Sequence, residues 1–242
     1  MNVVGRTHIG LVREKNQDAL EYGTVGTKAQ YAVVCDGMGG ANGGNIASKI
    51  AVEVVGSRIR DSYTEGMAAA SVERLLESAM ATANSGVYER SLQQPELAGM
   101  GTTVVAVITS GDTAYISHVG DSRLYLWRNK QLLPVTRDHS VVQELVESGQ
   151  ITAEEARSHP RKNYITRALG VISDESGEYD QLKLLPGDRL LLCTDGLTNE
   201  VTVSDIGCML NWDIETAVDK LVRAALDGGG ADNITVVLID ID

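Results

Sequence analysis

Tyr31-Ala-Val-Val-Cys-Asp36-Gly37-Met-Gly-Gly40 is an apolar run that stops at a carboxylate and passes into glycines, which recur at Gly43 and Gly44. A short β-rich run bounded by glycine reads as a buried strand. Its last residue is then a carboxylate at the end of a sheet, followed by backbone free to turn tightly, so that a main-chain carbonyl can approach whatever the carboxylate holds. By itself the pattern fits an ordinary strand-to-helix connection equally well. Two further stretches break that tie. Arg189-Leu-Leu-Leu-Cys-Thr-Asp195-Gly196 repeats the design, and Gly228-Gly-Gly-Ala-Asp232-Asn233-Ile-Thr-Val-Val-Leu-Ile reverses it, with the acid just before the apolar run. Three aspartates at the ends of three strands suggest one carboxylate cluster.

The rest of the composition is permissive. A chain of 242 residues, 43% hydrophobic and 22% charged, is long enough for a substantial core and ordinary for a globular protein. No apolar run approaches the roughly 18 residues of a membrane span. The N-terminus lacks the basic and apolar regions of a secretory signal. The cysteines, Cys35, Cys193 and Cys208, are odd in number and show no C-x-x-C spacing, so a reduced, cytoplasmic protein is expected. With 21 basic and 33 acidic residues the net charge is −12, and no basic cluster stands out. That argues against sequence-independent nucleic-acid binding. It also leaves acids for a cation to compensate.

Along the chain, residues 2–9 suggest a strand, and the polar Arg13-Glu-Lys-Asn-Gln-Asp18 a loop ending in another acid. Helical periodicity covers Asn45–Arg60 and Ser71–Gln93, with Ser71 as the expected N-cap. Thr102–Thr109, Thr113–Val119 and Arg123–Trp127 are β-branched runs separated by Ser110-Gly111-Asp112 and Gly120-Asp121-Ser122, which suggests antiparallel hairpins. Residues 138–180 are polar and irregular, an excursion with helices expected at His139–Ser148 and at Thr152–His159, where Thr152-Ala-Glu-Glu155 is a capping box. The chain then offers a strand at Arg189–Thr194, a helix near Asp213–Leu226 and a last strand at Ile234–Asp240. Strands in hairpins with grouped helices favour an α+β fold, helices packed on antiparallel sheets, in a single domain over 1–242.

All donors in the cluster are oxygens, which select hard cations such as Mg²⁺ or Mn²⁺. Zinc is disfavoured, since His8, His118, His139 and His159 show no paired spacing. Two divalent ions roughly 3.5–4 Å apart, bridged by one carboxylate, activate water and clamp a phosphoryl oxygen. Asp36 is the candidate bridge, and Gly37 adds its carbonyl.

Seven motifs then stand in order: Gly10-Leu-Val-Arg13-Glu-Lys-Asn16-Gln17-Asp18, Val34-Cys-Asp36-Gly37-Met-Gly-Gly40, Met100-Gly-Thr-Thr103, His118-Val-Gly-Asp121-Ser-Arg123, Thr136-Arg-Asp138-His139-Ser140, Leu192-Cys-Thr-Asp195-Gly196-Leu197 and Asp232-Asn233-Ile-Thr-Val. Together they resemble the metal-dependent PP2C (PPM-type) serine/threonine phosphatases in their compact bacterial form, from end to end. The resemblance implies an αββα sandwich of two antiparallel sheets with the metal centre at one end. It implies that Asp36 bridges two ions, Mn²⁺ or Mg²⁺, that the Gly37 carbonyl binds one of them, and that Asp195 and Asp232 complete the other's shell. Asp18 would order a metal-bound water, Arg13 would hold the substrate phosphate, and Asp121 with Asp195 would hold a third, weakly bound ion. The excursion at 138–180 corresponds to the flap beside the site, and His139 is read as structural rather than catalytic. The implied partners are phosphorylated proteins, substrates of a Ser/Thr kinase, met by a monomer. One departure is visible: many relatives carry a histidine after the equivalent of Asp36 that protonates the leaving group, and residues 38–48 contain none. That proton would then come from metal-bound water or another residue.

Overall fold

A computed structural model describes residues 1–242, apart from the side chains of Ala41 and Asn42. Its first three strands are β1 (Asn2–His8), β2 (Asp18–Val25) and β3 (Ala29–Met38), followed by helices α1 (Gly40–Ser62) and α2 (Ala69–Gln93). Strands β4 (Gly101–Thr102), β5 (Val104–Ser110), β6 (Thr113–Val119), β7 (Arg123–Arg128) and β8 (Gln131–Pro134) come next. Two short helices, α3 (Val141–Glu147) and α4 (Ala153–Ser158), precede β9 (Glu178–Lys183) and β10 (Arg189–Cys193). The chain ends with α5 (Asp195–Thr198), α6 (Val203–Met209), α7 (Ile214–Asp227) and β11 (Ile234–Asp240).

The strands form two antiparallel sheets, ordered β1-β11-β10-β7-β8 and β2-β3-β5-β6-β9, with β4 paired to β3. Alternation along the strands explains why they read as continuous apolar runs. Tyr31, Val33 and Cys35 pack on the α1 and α2 side, while Ala32 and Val34 face the opposite sheet. In the second sheet Leu191 and Cys193 meet α7, and Leu190 and Leu192 join the inter-sheet core. Each central strand is thus buried on both faces, a condition that removes the polar half of the usual alternation. The expected αββα sandwich is what the chain forms.

Several expectations are corrected in detail. The segment Gly120-Asp121-Ser122 is not a hairpin turn: β6 pairs β5 and β9, β7 pairs β10 and β8, and the segment carries the chain from one sheet to the other. Ser71 does not cap α2; that helix starts at Ala69 with Ala68 as N-cap, and Arg74 donates to Ser71 Oγ. The polar stretch 138–180 runs outside the sheets only to Gly177, because Glu178 already begins β9. Within that stretch α3 and α4 form inside the two segments where helices were expected, and the capping box of Thr152 and Glu155 is complete. Bridges at Ser140↔Ile165 and Thr102↔Leu169 fasten the stretch to the sandwich.

Candidate metal centre

Register places the first two carboxylates. Asp18 and Asp36 are direct cross-strand partners of β2 and β3, and the alternation that turns Leu20 and Val34 toward the inter-sheet core turns both aspartates the same way. Like charges directly opposite destabilise a sheet, so this pair calls for a counter-charge. Around the same end of the sandwich a cavity of about 490 Å³ is lined by Arg13, Asp36, Gly37, Asp121, Asp195 and Asp232, with Asp18 buried behind them. All seven residues singled out in the sequence therefore meet at one place.

The backbone of Asp36 is held by the Gly101-Thr102-Thr103 motif. Asp36 N–H donates to Thr103 Oγ1 at 3.0 Å, while Asp36 O accepts from Thr103 N at 2.8 Å and from Thr102 Oγ1 at 2.9 Å. Thr103 Oγ1 also lies 2.7 Å from Ser122 Oγ, which links the Asp36 strand end to the Asp121 segment. At Gly37 the backbone of Gly44 passes so close that a Cβ would collide with its carbonyl. Only glycine leaves that approach open. Asp195 begins α5, with Oδ2 accepting from Asn199 Nδ2 at 2.9 Å.

Asn233, beside Asp232 in the last motif, ties two segments together. Its Nδ2 donates to Ile9 O (2.8 Å) and Lys15 O (3.0 Å), and its Oδ1 accepts from Gln17 N (2.8 Å). It straps the loop bearing Arg13 to the start of β11. Thr194 and Thr235 were missed: both hydroxyls donate to Asp18 Oδ2, at 2.9 and 2.6 Å. Their signal was a threonine close to each metal-end aspartate, one residue before Asp195 and three after Asp232. Arg13 Nη2 donates to Asp232 Oδ2 at 2.6 Å, so the guanidinium reaches the cavity and rests on a carboxylate there.

The donor set fits a divalent cation. Asp18 Oδ1 is buried with no hydrogen-bond partner among the described residues, a costly state for a charged oxygen. Burial lifts the Asp18 carboxyl to about 7, against the two threonine hydroxyls and with help from Asp195 and Asp232. Burial, then Asp18 and Asp195, holds Asp36 well above the ordinary carboxylate range. Burial and then Asp195 lift Asp121 to about 8, and burial with Asp232 raises Asp195. Carboxylates that resist ionising together are what a bound cation relieves. Among the described residues, however, the three that bring ligand atoms within 4.8 Å of one another are His118, His139 and Glu178, not any three of the aspartates.

A consequence can be measured without catalysis. The folded-state pKa of Asp36 is raised, so ionisation costs stability as pH climbs above the unfolded value near about 4. Asp36→Asn does not ionise. In chelator, its Tm should exceed that of the wild type by a gap that opens above about pH 4 and widens until Asp36 ionises in the folded protein, and Mn²⁺ should raise the wild type more than the variant. A metal-free variant no more stable than wild type contradicts this reading of the cluster.

The sequence pattern of protein phosphatase 2C matches residues 4–229. Over its whole length the chain is 36% identical to the serine/threonine phosphatase stp of Listeria monocytogenes, 96% of which is covered. It is also 36% identical, again over its whole length, to the serine/threonine protein phosphatase PstP of Mycobacterium tuberculosis, of which it spans 45%. Among solved structures, the serine/threonine phosphatase of S. agalactiae superimposes with a TM-score of 0.92 at 35% identity, covering 100% of this chain and 99% of that one. The catalytic domain of PstP in complex with two manganese ions superimposes with a TM-score of 0.88 at 34% identity, covering 100% and 98%.

Proposed function

The chain belongs to the protein phosphatase 2C family, and on that premise we propose that its cavity hydrolyses phosphoserine and phosphothreonine on proteins with the aid of divalent cations. The observation that carries this is the Asp18–Asp36 cross-strand pair, facing inward beside Asp195, Asp232 and Arg13 around one cavity. Asp36, the Gly37 carbonyl, Asp195 and Asp232 are the residues to hold two cations, Mn²⁺ or Mg²⁺, and Asp121 with Asp195 a third and weaker one. Such ions supply Lewis acidity, acidifying water and offsetting charge on the phosphoryl group.

The chain's own groups then have distinct tasks. Thr194 and Thr235 occupy Asp18 Oδ2, which leaves Oδ1 to accept a hydrogen bond from a water at the site and order it. Arg13 receives the phosphate with the donors that Asp232 does not use; a planar guanidinium suits tetrahedral oxygens at two points. Water oxygen bonds to phosphorus, the bond to the seryl or threonyl oxygen breaks, and that oxygen takes up a proton, giving inorganic phosphate and the alcohol. No histidine lines the cavity among the described residues, in agreement with the histidine-free loop after Asp36. We read residues 1–242 as one unit whose stretch 138–180 flanks the cavity. It acts as a cytoplasmic monomer on proteins phosphorylated by a Ser/Thr kinase. No helix is long and apolar enough to cross a membrane.

Turnover of a phosphothreonine peptide against a small aryl phosphate, with Mn²⁺ and with chelator, tests the proposal. Peptide hydrolysis that requires the metal supports it; hydrolysis of the small ester alone, or full activity in chelator, contradicts it. Arg13→Ala should lower kcat/KM for the peptide by about 1.5–3 kcal/mol in transition-state terms, the range for a hydrogen bond to a charged group. An unchanged kcat/KM would return Arg13 to the surface.

A further inference from the structure

Outside the carboxylate cluster, His118, His139 and Glu178 gather at the root of the polar stretch. Their proximity invites a metal reading, which the ring geometry opposes. The two imidazoles are stacked, centroids 4.9 Å apart and planes 15° from parallel. Ring lone pairs lie in the ring planes, so these rings aim side by side rather than converge on a tetrahedral ion. A cation is also already there: Arg167 Nη1 lies 3.0 Å from Glu178 Oε1 and 3.3 Å from His139 Nε2.

The hydrogen bonds of His139 point elsewhere. Its backbone N–H donates to Gly120 O at 2.9 Å, and its Nδ1 accepts from Gly120 N–H at 3.1 Å. Its own carbonyl accepts from Thr166 N at 2.8 Å. Both polar groups of the Gly120 backbone are therefore taken by one residue. On the other side Gly120 adopts φ 99°, and a Cβ would stand 2.5 Å from Thr103 Cγ2. The residue before Asp121 is boxed between Thr103, which also holds Asp36, and His139.

Because Nδ1 must accept, the ring is neutral with its proton on Nε2. Nε2–H and Arg167 Nη1 then share Glu178 Oε1 as acceptor, at 3.1 and 3.0 Å, which accounts for two donors lying side by side. His118 backs the ring, and its Nε2 donates to Arg137 O at 2.9 Å. Burial, then His118 and Arg167, lowers the His139 pKa against the pull of Glu178, in keeping with the neutral form.

We propose that His139, as the neutral Nε2–H tautomer, is a positioning residue that clasps the Gly120 backbone and so sets Asp121 at the cavity. The proposal rests on the part assigned to Asp121 above.

Two substitutions separate the ring's ends. His139→Asn keeps an oxygen near the place of Nδ1, whereas His139→Gln keeps only a group near Nε2 and leaves Gly120 N–H without an acceptor. Asn should stay within about twofold of wild-type kcat, and Gln should fall about tenfold, the worth of roughly one hydrogen bond, with KM for the peptide unchanged. In an Asp121→Ala background the difference between Asn and Gln should vanish, as for residues acting through one another. Nitrogen-15 NMR of the wild-type histidines should show the Nε2–H tautomer for His139 at neutral pH, and this reading stands even if a variant fails to fold. An Nδ1–H tautomer, equal Asn and Gln variants beside a defective Asp121→Ala, or a gap that persists without Asp121 would each overturn the clasp. An Asp121→Ala protein as active as wild type would remove the part assigned to Asp121 and the routing through it, while the tautomer still reports on the hydrogen bond itself.

Discussion

Two carboxylates placed directly opposite each other on paired strands, and turned into the protein rather than out of it, are the constraint that the rest of the structure serves. Asp18 and Asp36 sit where the alternation of β2 and β3 otherwise puts leucine and valine. A sheet tolerates such a pair only if the surroundings compensate. Here they do so in part: threonine hydroxyls on one oxygen of Asp18, a threonine framework on the Asp36 backbone, and a buried oxygen left over. What remains unsatisfied is the capacity to hold cations.

The sandwich makes that arrangement affordable. Its central strands are buried on both faces, with Leu190, Leu192, Val237 and Ile239 meeting Ala32, Val34, Val105 and Val107 between the sheets. At about 25 cal/mol per Å² of apolar surface removed from water, an interior of this kind tolerates one strained end. The crossing from β6 to β7 is part of the same economy of placement. Since the chain changes sheets at Gly120-Asp121-Ser122, a carboxylate is delivered to the gap between the sheets, where a hairpin would have kept it on one of them. Thr103 touches both sides of that gap, through Asp36 N and Ser122 Oγ.

What the sequence disclosed follows from burial. Tyr31–Asp36, Arg189–Asp195 and Asp232–Asp240 were legible because strands buried on both faces are unbroken apolar runs, and their terminating acids stand out. The strands that were missed, β2, β8 and β9, all lie at sheet edges. An edge strand is half solvated and its residues alternate with charge, as in Glu178-Tyr-Asp-Gln-Leu-Lys183. Helix α5 is a single turn, too short to show a period, and α6, as short as α3, had as its cue only Thr202, which accepts from Asp205 N. Ser71 misled because a good capping residue also occurs inside a helix, where its hydroxyl finds Arg74 instead. The stacking of His118 on His139 had no sequence signal, since it depends on where the polar stretch returns to β6. The threonines around Asp18 and Asp36 were visible as motif letters, but their hydrogen bonds depend on which strands become neighbours.

The central claim is that this one end of the sandwich holds two divalent cations through Asp36, Gly37, Asp195 and Asp232. Anomalous diffraction from crystals grown with Mn²⁺ tests it most directly. The account predicts two adjacent manganese peaks in the cavity, with Asp36 reaching both and Asp195 and Asp232 on one of them. A single manganese elsewhere, or peaks at the His118–His139–Glu178 cluster with the aspartate cavity empty, would contradict it.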